Sequence, residues 1–338
     1  DPIEVIKQYG VDALRYFLTT NSTPGQDMRY IDEKVQASSN YLNKIWNSAR
    51  YVLSIIPEGF EESEIEVNSL SALDNWIINK MEATIKNVAT NMDKYDFNAA
   101  SSHLYNFVYD DFCSQYLEMS KVSLASGDAT KIKNTCNVLL KCLRNIILLI
   151  YPYTPFIAEE LYLNLPNHKE SIMLESYPAY EENMVNTSKD DQVELLFNII
   201  KDIRNYKIEN KLAPNAELDL SINLKVKVFD DFFTYLKRFT FSNIKEVGNE
   251  IVHSSGELKI YDTADVLINN ESGKADMIAR IEKEIETEIS EIARCEKMLS
   301  NPGFVARAPE AKINLERSKL AQHQENLASL KAKLEKLK

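Results

Sequence analysis

The stretch Lys297–Ile313, KMLSNPGFVARAPEAKI, separates two long charged runs near the end of a chain of 338 residues. Pro302 and Gly303 interrupt the helical pattern. Pro309 suits the first turn of a following helix, because proline has no backbone N–H that would need a partner there. Since the interruption is short, we expect the chain to double back at this point.

Apolar residues on both sides of the interruption recur at helical spacing. The steps are three and four in the first run, and seven, three and four in the second: Ile281, Ile285, Ile289, Ile292, Cys295 and Leu299, then Ile313, Leu320, Leu327, Leu330, Leu334 and Leu337. Such steps are typical of a coiled-coil seam. Two matched seams predict an antiparallel hairpin over 271–338, with arms that reach roughly 40 Å at 1.5 Å per residue.

Residues 36–185 have a helical pattern throughout, and they predict an antiparallel bundle. Long runs with apolar residues at helical spacing are separated by the helix breakers Pro57, Gly59, Gly127 and Pro152. Helices joined by such short connections pack antiparallel to one another. Residues 1–35 precede this bundle and predict a connector segment with two short helices.

The pattern changes from helical to alternating between the bundle and the hairpin. Alternate positions are apolar at Leu218, Leu220, Ile222, Leu224, Val226 and Val228, which predicts a half-buried strand. Helical runs flank this strand, and 244–247 and 256–261 are shorter strand candidates. The expected fold is therefore mainly α: a helical bundle, a small α/β subdomain over 186–270, and a C-terminal antiparallel coiled-coil hairpin.

Charge is distributed unevenly along the chain. The formal net charge is −12, but from Lys274 onward 13 basic residues stand against 11 acidic ones, and from Arg294 onward ten stand against five. The end of the hairpin is therefore the basic part of an acidic protein. That location makes it the candidate surface for a polyanion.

Several site types are absent from the sequence. The cysteines and histidines lack zinc-ligand spacing, the glycines form no phosphate-binding loop, and no nucleophile motif occurs. No apolar run reaches membrane-spanning length. We expect no metal, no catalytic residue, no membrane contact and a cytoplasmic location. Composition alone leaves open an RNA-binding part of an enzyme, a protein–protein scaffold and a coiled-coil oligomerisation module. A hairpin that buries its own seams favours a monomer.

Five stretches resemble class I aminoacyl-tRNA synthetases, and they follow the same order along the chain. Residues 1–30 resemble the segment after the catalytic core, and DALR (12–15) and PGQD (24–27) resemble the valine-specific members. NKIWNSARYVL (43–53), YDFNAASSHLYNFVYDDFC (95–113) and PYTPFIAEELY (152–162) resemble their anticodon-binding bundle. LSNPGFVARAP (299–309) is similar to the tip of their C-terminal arm.

This resemblance implies a tRNA-binding role. Valine-specific family members join valine to tRNA-Val with ATP, and the chain corresponds to their C-terminal part, without the nucleotide-binding and editing domains. ATP and magnesium would then belong to the catalytic domain, and no cofactor is expected in this chain. The expected partner is tRNA-Val rather than DNA, and the chain alone is expected to be inactive as a ligase.

The resemblance also indicates where the anticodon would be bound. In NKIWNSARYVL the buried stripe is expected to include Leu42, Ile45, Ala49, Val52 and Leu53. The other face carries Asn43, Lys44, Asn47 and Arg50, whose planar edges and charges suit unpaired bases. A solvated polar face is the alternative. Trp76 is the candidate for base stacking, with packing in the core as its alternative. Other aromatic residues are expected in the core: Tyr95, Tyr109, Phe112 and Tyr116.

The hairpin and the connector carry the remaining candidates. Basic residues near the tip are expected to neutralise phosphates: Arg294, Lys297, Arg307, Lys312, Arg317 and Lys319. Phe304 at the tip either caps the hairpin or packs on bases at the corner of the tRNA. In the connector, Asp12 and Arg15 contact the catalytic core and the tRNA by resemblance, or form a local helix ion pair.

Overall fold

The computed structural model describes residues 1–22, 25, 27–247, 256–269, 271–300 and 310–337. The chain divides into two compact units. The bundle unit comprises Asp1–Phe197 and Phe229–Tyr235, and the second unit comprises Asn198–Val228 and Leu236–Lys338. This division is coarser than the four segments expected from the sequence, which remain a prediction.

The bundle unit is built from helices joined by short connections. They are α1 (Pro2–Tyr9), α2 (Val11–Thr20), α3 (Asp32–Ile55), α4 (Ala72–Asp93), α5 (Phe97–Asn106), α6 (Leu117–Leu124), α7 (Ala129–Ile150) and α8 (Pro155–Tyr162). Helix α9 (Asp190–Glu209) contains the boundary between the units. Between α1 and α2 the chain turns at Gly10, whose φ of 88° is in the region that favours glycine. The predicted helical bundle is confirmed.

The core of the bundle unit is apolar and contains large aromatic side chains. Side chains that are at most 1% exposed include Phe17, Trp76, Ile77, Phe107, Phe112, Leu139, Ile147 and Tyr162. Burying a side chain of this size stabilises a fold by roughly 1.5–3 kcal/mol. The core therefore supplies most of the free energy that holds these helices together.

A π-helical segment, Phe107–Tyr116, connects α5 to α6. Its wider turn is visible where the Ser114 hydroxyl donates to the backbone oxygen of Tyr109, five residues earlier, at 2.6 Å. A π turn contains more residues than an α turn, so it changes which side chains share a face. Phe112 and Tyr116 lie buried, whereas Tyr109 is 39% exposed. The predicted core position of Tyr109 is therefore wrong, and so is that of Tyr95, which is 76% exposed.

Asp12 fastens the start of the chain to the bundle. Helix α8 begins after Thr154, whose side chain makes no capping hydrogen bond. The Oδ2 atom of Asp12 instead accepts the backbone N–H of Ile157 at 2.7 Å. Burial raises the pKa of this carboxyl, and the backbone N–H donors of Ile157 and Phe156 oppose that rise. Asp12 therefore caps a helix that lies 145 residues away in the sequence.

The second unit contains a four-stranded sheet in the order β2–β1–β4–β3. Its strands are β1 (Leu218–Leu224), β2 (Ser242–Glu246), β3 (Glu257–Ile260) and β4 (Ala264–Asn269). Strand β1 is parallel to β2 and antiparallel to β4, and α10 (Phe232–Thr240) forms the crossover between β1 and β2. The predicted strand continued to Val228, but β1 ends at Leu224, where its pairing with β4 also ends. The small α/β part of the predicted fold is confirmed.

A buried cation joins the ends of α9 and α10. Lys207 is 3% exposed, and its Nζ atom donates to the backbone oxygens of Pro214 at 3.0 Å and Thr240 at 2.7 Å. Burial lowers the pKa of this ammonium, and the charge of Arg204 lowers it further. Because the last carbonyls of a helix lack intrahelical donors, Lys207 supplies hydrogen bonds that this part of the unit needs.

Helices α11 (Glu271–Ser300) and α12 (Glu310–Leu337) pack against each other as an antiparallel arm. The Nδ1 atom of His323 lies 2.6 Å from Oε2 of Glu288, and the Cys295 thiol lies 3.6 Å from Oε2 of Glu316. A step of seven residues forward along α11 thus matches a step of seven backward along α12. The predicted hairpin is confirmed, and its tip, 301–309, lies outside the described residues.

The described seam of α11 differs from the predicted one at Ile289. Ile289 is 48% exposed, and the neighbouring Glu288 faces α12 instead. The true seam of α11 passes from Ile285 through Glu288 to Ile292, which keeps the alternating steps of three and four. Counting only apolar residues misses this, because the seam includes a carboxylate that has a partner on the other helix.

We predict that Asp12→Ala lowers the free energy of unfolding of the bundle unit by about 1–2 kcal/mol, because it removes the cap of α8. Asp12→Asn retains an acceptor and is expected to lose less. Urea denaturation followed by circular dichroism measures both values. Arg15→Ala is the control and is expected to change stability by less than about 0.5 kcal/mol, since Arg15 is exposed. Equal unfolding midpoints for wild type and Asp12→Ala would contradict the capping role.

Candidate nucleic-acid interface

Helix α3 separates a buried face from a polar one. Leu42, Ile45, Ala49 and Val52 are at most 6% exposed, as predicted, whereas Leu53 is only half-buried. Asn43, Asn47 and Arg50 are exposed, and Lys44 is half-buried. Their spacing of three and four residues places them on neighbouring positions of one helix face. The structure therefore brings these four predicted anticodon-binding residues together.

A groove of 260 Å³ runs between α3 and the helices opposite it, and we call it the α3–α6 groove. Its lining residues are Lys44, Asn47, Ser48 and Tyr51 from α3, Cys113 from the π-helical segment, and Leu117, Glu118 and Lys121 from α6. The volume is below the roughly 300–1,000 Å³ of pockets that hold drug-sized ligands. It suits one flat group rather than a whole small-molecule substrate.

Buried side chains form the floor of the α3–α6 groove. Ser48, Cys113 and Leu117 are buried, and the Ser48 hydroxyl lies 3.0 Å from the Cys113 sulfur. Burial raises the pKa of the Cys113 thiol, so this group stays neutral. The floor is thus uncharged, and the charged groups of the groove lie on its rims.

Two tyrosines extend this surface along the helix that ends in the π-helical segment. The rings of Tyr105 and Tyr109 stack at 5.3 Å with an interplanar angle of 12°, and each residue is 39% exposed. The ammonium of Lys44 lies 4.5 Å from the centroid of the Tyr109 ring. Exposed aromatic rings beside a cation are the groups on which unpaired bases stack. In the sequence, the i, i+4 spacing of the two tyrosines was the feature that could have indicated a shared helix face.

Trp76 requires a correction. It is 1% exposed, packs against Phe197 at 4.9 Å between ring centroids, and donates its indole N–H to Glu194 at 3.0 Å. Because the ring is enclosed by the bundle unit, it offers no face to a base. The core alternative is right for Trp76, whereas Tyr105 and Tyr109 are each 39% exposed.

The two candidates of the connector differ in their surroundings. Asp12 is 7% exposed and caps α8, so its carboxylate is not available to an outside partner. Its predicted contact role is therefore wrong for this structure. Arg15 is exposed on α2, and a contact with another part of the enzyme or with tRNA stays a prediction.

The candidates of the arm fall into three groups. Lys297, Lys312 and Arg317 are exposed. Arg294 and Lys319 instead pair with carboxylates: Arg294 lies 2.7 Å from Glu291, and Lys319 lies 3.0 Å from Glu316. Phe304 and Arg307 lie outside the described residues. Lys297, Lys312 and Arg317 are therefore the described cations of this set that are most available to phosphates.

Some site types find no support in the part of the chain that the structure describes. Within it, no group of three or more histidine, cysteine, aspartate or glutamate side chains is placed to hold a metal ion. None of the described helices is both long and apolar enough to cross a membrane.

Comparison with known families agrees with this arrangement. Residues 74–222 match the anticodon-binding domain of tRNA ligase, and residues 275–338 match the valyl tRNA synthetase tRNA binding arm. Valine–tRNA ligases of Staphylococcus aureus strain JH9 and Staphylococcus carnosus strain TM300 are each 36% identical to the chain over an alignment of 346 residues that covers the whole chain.

The chain belongs to the valine–tRNA ligase family. It spans 40% of the length of these two relatives. Both matched domains of the family are tRNA-binding domains, and the α3–α6 groove and the arm are the surfaces that the structure offers for that role.

Two solved structures show a weaker similarity to the chain. One is the LeuRS of Agrobacterium radiobacter K84 in a ternary complex, with 22% identity, a TM-score of 0.42, and coverage of 55% of this chain and 21% of that one. The other is the apo methionyl-tRNA synthetase of Mycobacterium tuberculosis, with 19% identity, a TM-score of 0.41, and coverage of 53% and 40%.

Asp111 belongs to an acidic cluster. Asp111 in the π-helical segment has its pKa raised from 3.8 to about 6, chiefly by burial. The charges of Glu194 and Asp110 raise it further, whereas Lys80 lowers it. Lys80 itself pairs with Glu194 at 2.9 Å. One lysine therefore stabilises several carboxylates, and the protonated form of Asp111 is favoured in the folded state.

We predict that Asp111→Asn raises the free energy of unfolding above pH 6 and leaves it unchanged near pH 4. The folded pKa of about 6 exceeds the unfolded value of 3.8. Ionisation of Asp111 therefore lowers the free energy of unfolding of the wild type as the pH rises between these two values. Asparagine does not ionise, so the Asp111→Asn variant does not lose this stability. Denaturation at pH 4, 5, 6 and 7.5 measures the difference, with Asp27→Asn, at an exposed aspartate outside this cluster, as the control. A difference that is independent of pH would contradict the assignment.

Proposed function

We propose that the chain supplies tRNA binding to a valine–tRNA ligase and recognises tRNA-Val at two places. The α3–α6 groove and the adjacent tyrosines bind bases of the anticodon loop, and the arm binds phosphates at the corner of the tRNA. The observation that carries this proposal is an open groove beside stacked, exposed tyrosines. The tyrosines and the α6 side of the groove lie inside the segment that matches an anticodon-binding domain.

The groove and the surface beside it offer the three kinds of contact that unpaired bases use. Tyr109 provides a ring for stacking, Asn47 provides an amide for hydrogen bonds with base edges, and Arg50 provides charge for phosphates. Double-stranded RNA would offer few exposed bases to such a groove. A single-stranded loop is therefore the ligand that this surface fits best.

The arm offers charge without a comparable groove. Its exposed Lys297, Lys312 and Arg317 lie in the distal, basic part of the chain, within the segment that matches the tRNA binding arm. Cations of this kind bind the sugar–phosphate backbone and carry no direct sequence information. The arm is expected to add affinity for tRNA without reading the anticodon.

Ligase activity is not expected from the chain alone. We infer a cytoplasmic, monomeric protein part that binds tRNA, while amino-acid activation with ATP depends on the rest of a full-length family member. A purified sample is expected to show no valine-dependent exchange of pyrophosphate with ATP. Valine-dependent exchange by the pure chain would refute this inference.

We predict that Tyr109→Ala weakens the binding of tRNA-Val about 5- to 100-fold, since stacking of one base contributes roughly 1–3 kcal/mol. Fluorescence anisotropy with labelled tRNA measures the change. Tyr95→Ala is the matched control, because Tyr95 is an exposed tyrosine whose ring contacts Phe97 rather than Tyr105 and Lys44. Equal affinities for the two variants would count against the groove as the anticodon site.

We predict that replacing Lys297, Lys312 and Arg317 with Gln weakens the binding of several tRNAs alike. Each lost phosphate contact reduces the slope of log K against log salt by roughly 0.7–0.9. A salt titration measures this slope. Replacing Lys283 and Lys331, which are exposed elsewhere on the arm, is the control. An unchanged slope in the triple variant would exclude the arm residues as phosphate contacts.

A further inference from the structure

We infer that Phe241 stacks on one unpaired nucleotide of a bound tRNA outside the anticodon, and that Arg204 and Lys237 bind the phosphates next to that nucleotide. This inference rests on the proposed function, because it takes tRNA as the ligand. It goes further by assigning a third RNA contact, in the second unit, at residues that belong neither to the α3–α6 groove nor to the arm.

Phe241 presents an aromatic ring at the end of a helix. It follows directly after α10 and is 50% exposed. Its φ of 51° lies in the left-handed region, which glycine or asparagine usually occupies after a helix. A phenylalanine here adopts a backbone conformation that is uncommon for its type and leaves much of its ring in water. Helix termination alone would be satisfied by a glycine.

The ammonium of Lys207 fixes the position of this ring. It lies 5.5 Å from the centroid of the Phe241 ring, and it donates to the backbone oxygens of Pro214 at 3.0 Å and Thr240 at 2.7 Å. Because Lys207 is 3% exposed, its ammonium lies on the inner side of the ring. Half of Phe241 is exposed, so the opposite face of the ring is open to a ligand. A ring that is held in place beforehand loses little conformational entropy when a base stacks on it.

Two exposed cations come from the two helices that meet at this ring. Arg204 precedes Lys207 by three residues, which is about one turn of α9. Lys237 lies in the last turn of α10, and its backbone oxygen accepts the N–H of Phe241 at 2.9 Å. An aromatic ring with cations beside it is typical of sites for single-stranded nucleic acid, where the base stacks and the cations neutralise phosphates.

The chemistry of these groups favours an unpaired nucleotide of any base identity. A base inside a double-helical stem has both faces covered by its neighbours, so it has no face left for the ring. Every unpaired base has a π-face, and stacking therefore tolerates all four bases. The ring and the two cations offer stacking and charge rather than a pattern of donors and acceptors for a base edge. The contact is thus expected to add affinity for tRNA without distinguishing anticodons.

The first test uses the full chain and replaces Phe241 with leucine, which keeps an apolar cover over Lys207 but removes the π-face. Phe241→Leu is expected to weaken the binding of tRNA-Val about 5- to 100-fold, as for the loss of one base stack. The same factor is expected for a transcript in which all three anticodon bases are replaced. Fluorescence anisotropy with labelled transcripts measures both. Tyr95→Leu is the matched control, because Tyr95 also follows a helix with a positive φ, of 57°, and is 76% exposed.

Phe241→Trp is the second variant, because tryptophan keeps a ring for stacking and reports on it. It is expected to bind tRNA within about twofold of the wild type, since the stack is retained. An indole stacked on a base loses fluorescence, so the emission that this variant adds to the wild-type signal is expected to be quenched by tRNA. Tyr95→Trp is the control, and its added emission is expected to stay.

The cations are tested through the salt dependence of binding. Replacing Arg204 and Lys237 with Gln is expected to reduce the slope of log K against log salt by roughly 1.4, since each single-strand phosphate contributes about 0.7. Lys227→Gln is the control. Strand β1 begins at Leu218, whose N–H donates to the backbone oxygen of Phe241, and the exposed Lys227 lies beyond the other end of this strand. Its slope is expected to equal that of the wild type.

The outcomes separate this inference from the proposed function. If the wild type binds tRNA and Phe241→Leu binds it equally well, or if tRNA leaves the emission of Phe241→Trp unchanged, the inference is wrong and the other two surfaces stand. A loss confined to the transcript with the valine anticodon would also overturn it, because the stacked base would then belong to the anticodon. If Phe241→Leu lowers the midpoint of urea denaturation, the quenching of Phe241→Trp decides. A wild type that binds no tRNA would refute the proposed function before any variant is compared.

Discussion

The buried carboxylate of Asp74 is the interaction on which the shape of the candidate anticodon site depends. Asp74 is 2% exposed and accepts hydrogen bonds from the hydroxyl groups of Ser71 at 2.8 Å, Tyr116 at 2.5 Å and Thr135 at 3.2 Å. Burial raises the pKa of this carboxyl, and the hydroxyl donors lower it. One side chain thus joins the start of α4, the end of the π-helical segment and α7. Leaving a buried hydroxyl without its partner costs about 1–3 kcal/mol, so the hydrogen bonds of Asp74 oppose separation of these three segments. Because Tyr116 directly precedes α6, the network also fixes the helix that carries Glu118 and Lys121.

Polar pairs in the seam perform a similar role in the arm, where they fix the register. Glu288 meets His323, and Cys295 meets Glu316 one heptad away. A slip of one heptad in one direction would place Glu288 opposite Glu316, and the two carboxylates would repel each other. A slip in the other direction would place Glu288 opposite Leu330 and leave a half-buried charge without a partner. Polar seam positions cost stability but select one alignment. The selected alignment places Lys297 and Lys312 within about one helical turn of each other along the arm.

Local sequence patterns predicted most of the fold, and long-range contacts account for most of what they missed. Proline and glycine breakers marked the ends of the bundle helices, and the spacing on α3 separated its polar face from its buried face. Trp76 and Asp12 were assigned wrongly because their partners lie 118 and 145 residues away. Tyr109 was assigned to the core together with the other aromatic residues, but it lies on the exposed side of a π-helical segment. Strand β4 was missed because Val266, Leu267 and Ile268 form an apolar run without alternation, which does not separate a strand from a helix.

The distribution of charge explains how an acidic chain can bind a polyanion selectively. A net charge of −12 repels phosphates from most of the surface, so only locally basic regions attract them. Several cations near the candidate sites are already engaged: Lys44 lies over Tyr109, Lys121 binds Glu118, and Lys319 binds Glu316. Engaged cations contribute less to nonspecific attraction of phosphate than free ones would. Under the proposed function, affinity in the α3–α6 groove comes mainly from stacking and from hydrogen bonds with base edges, which are the kinds of contact that distinguish one base from another.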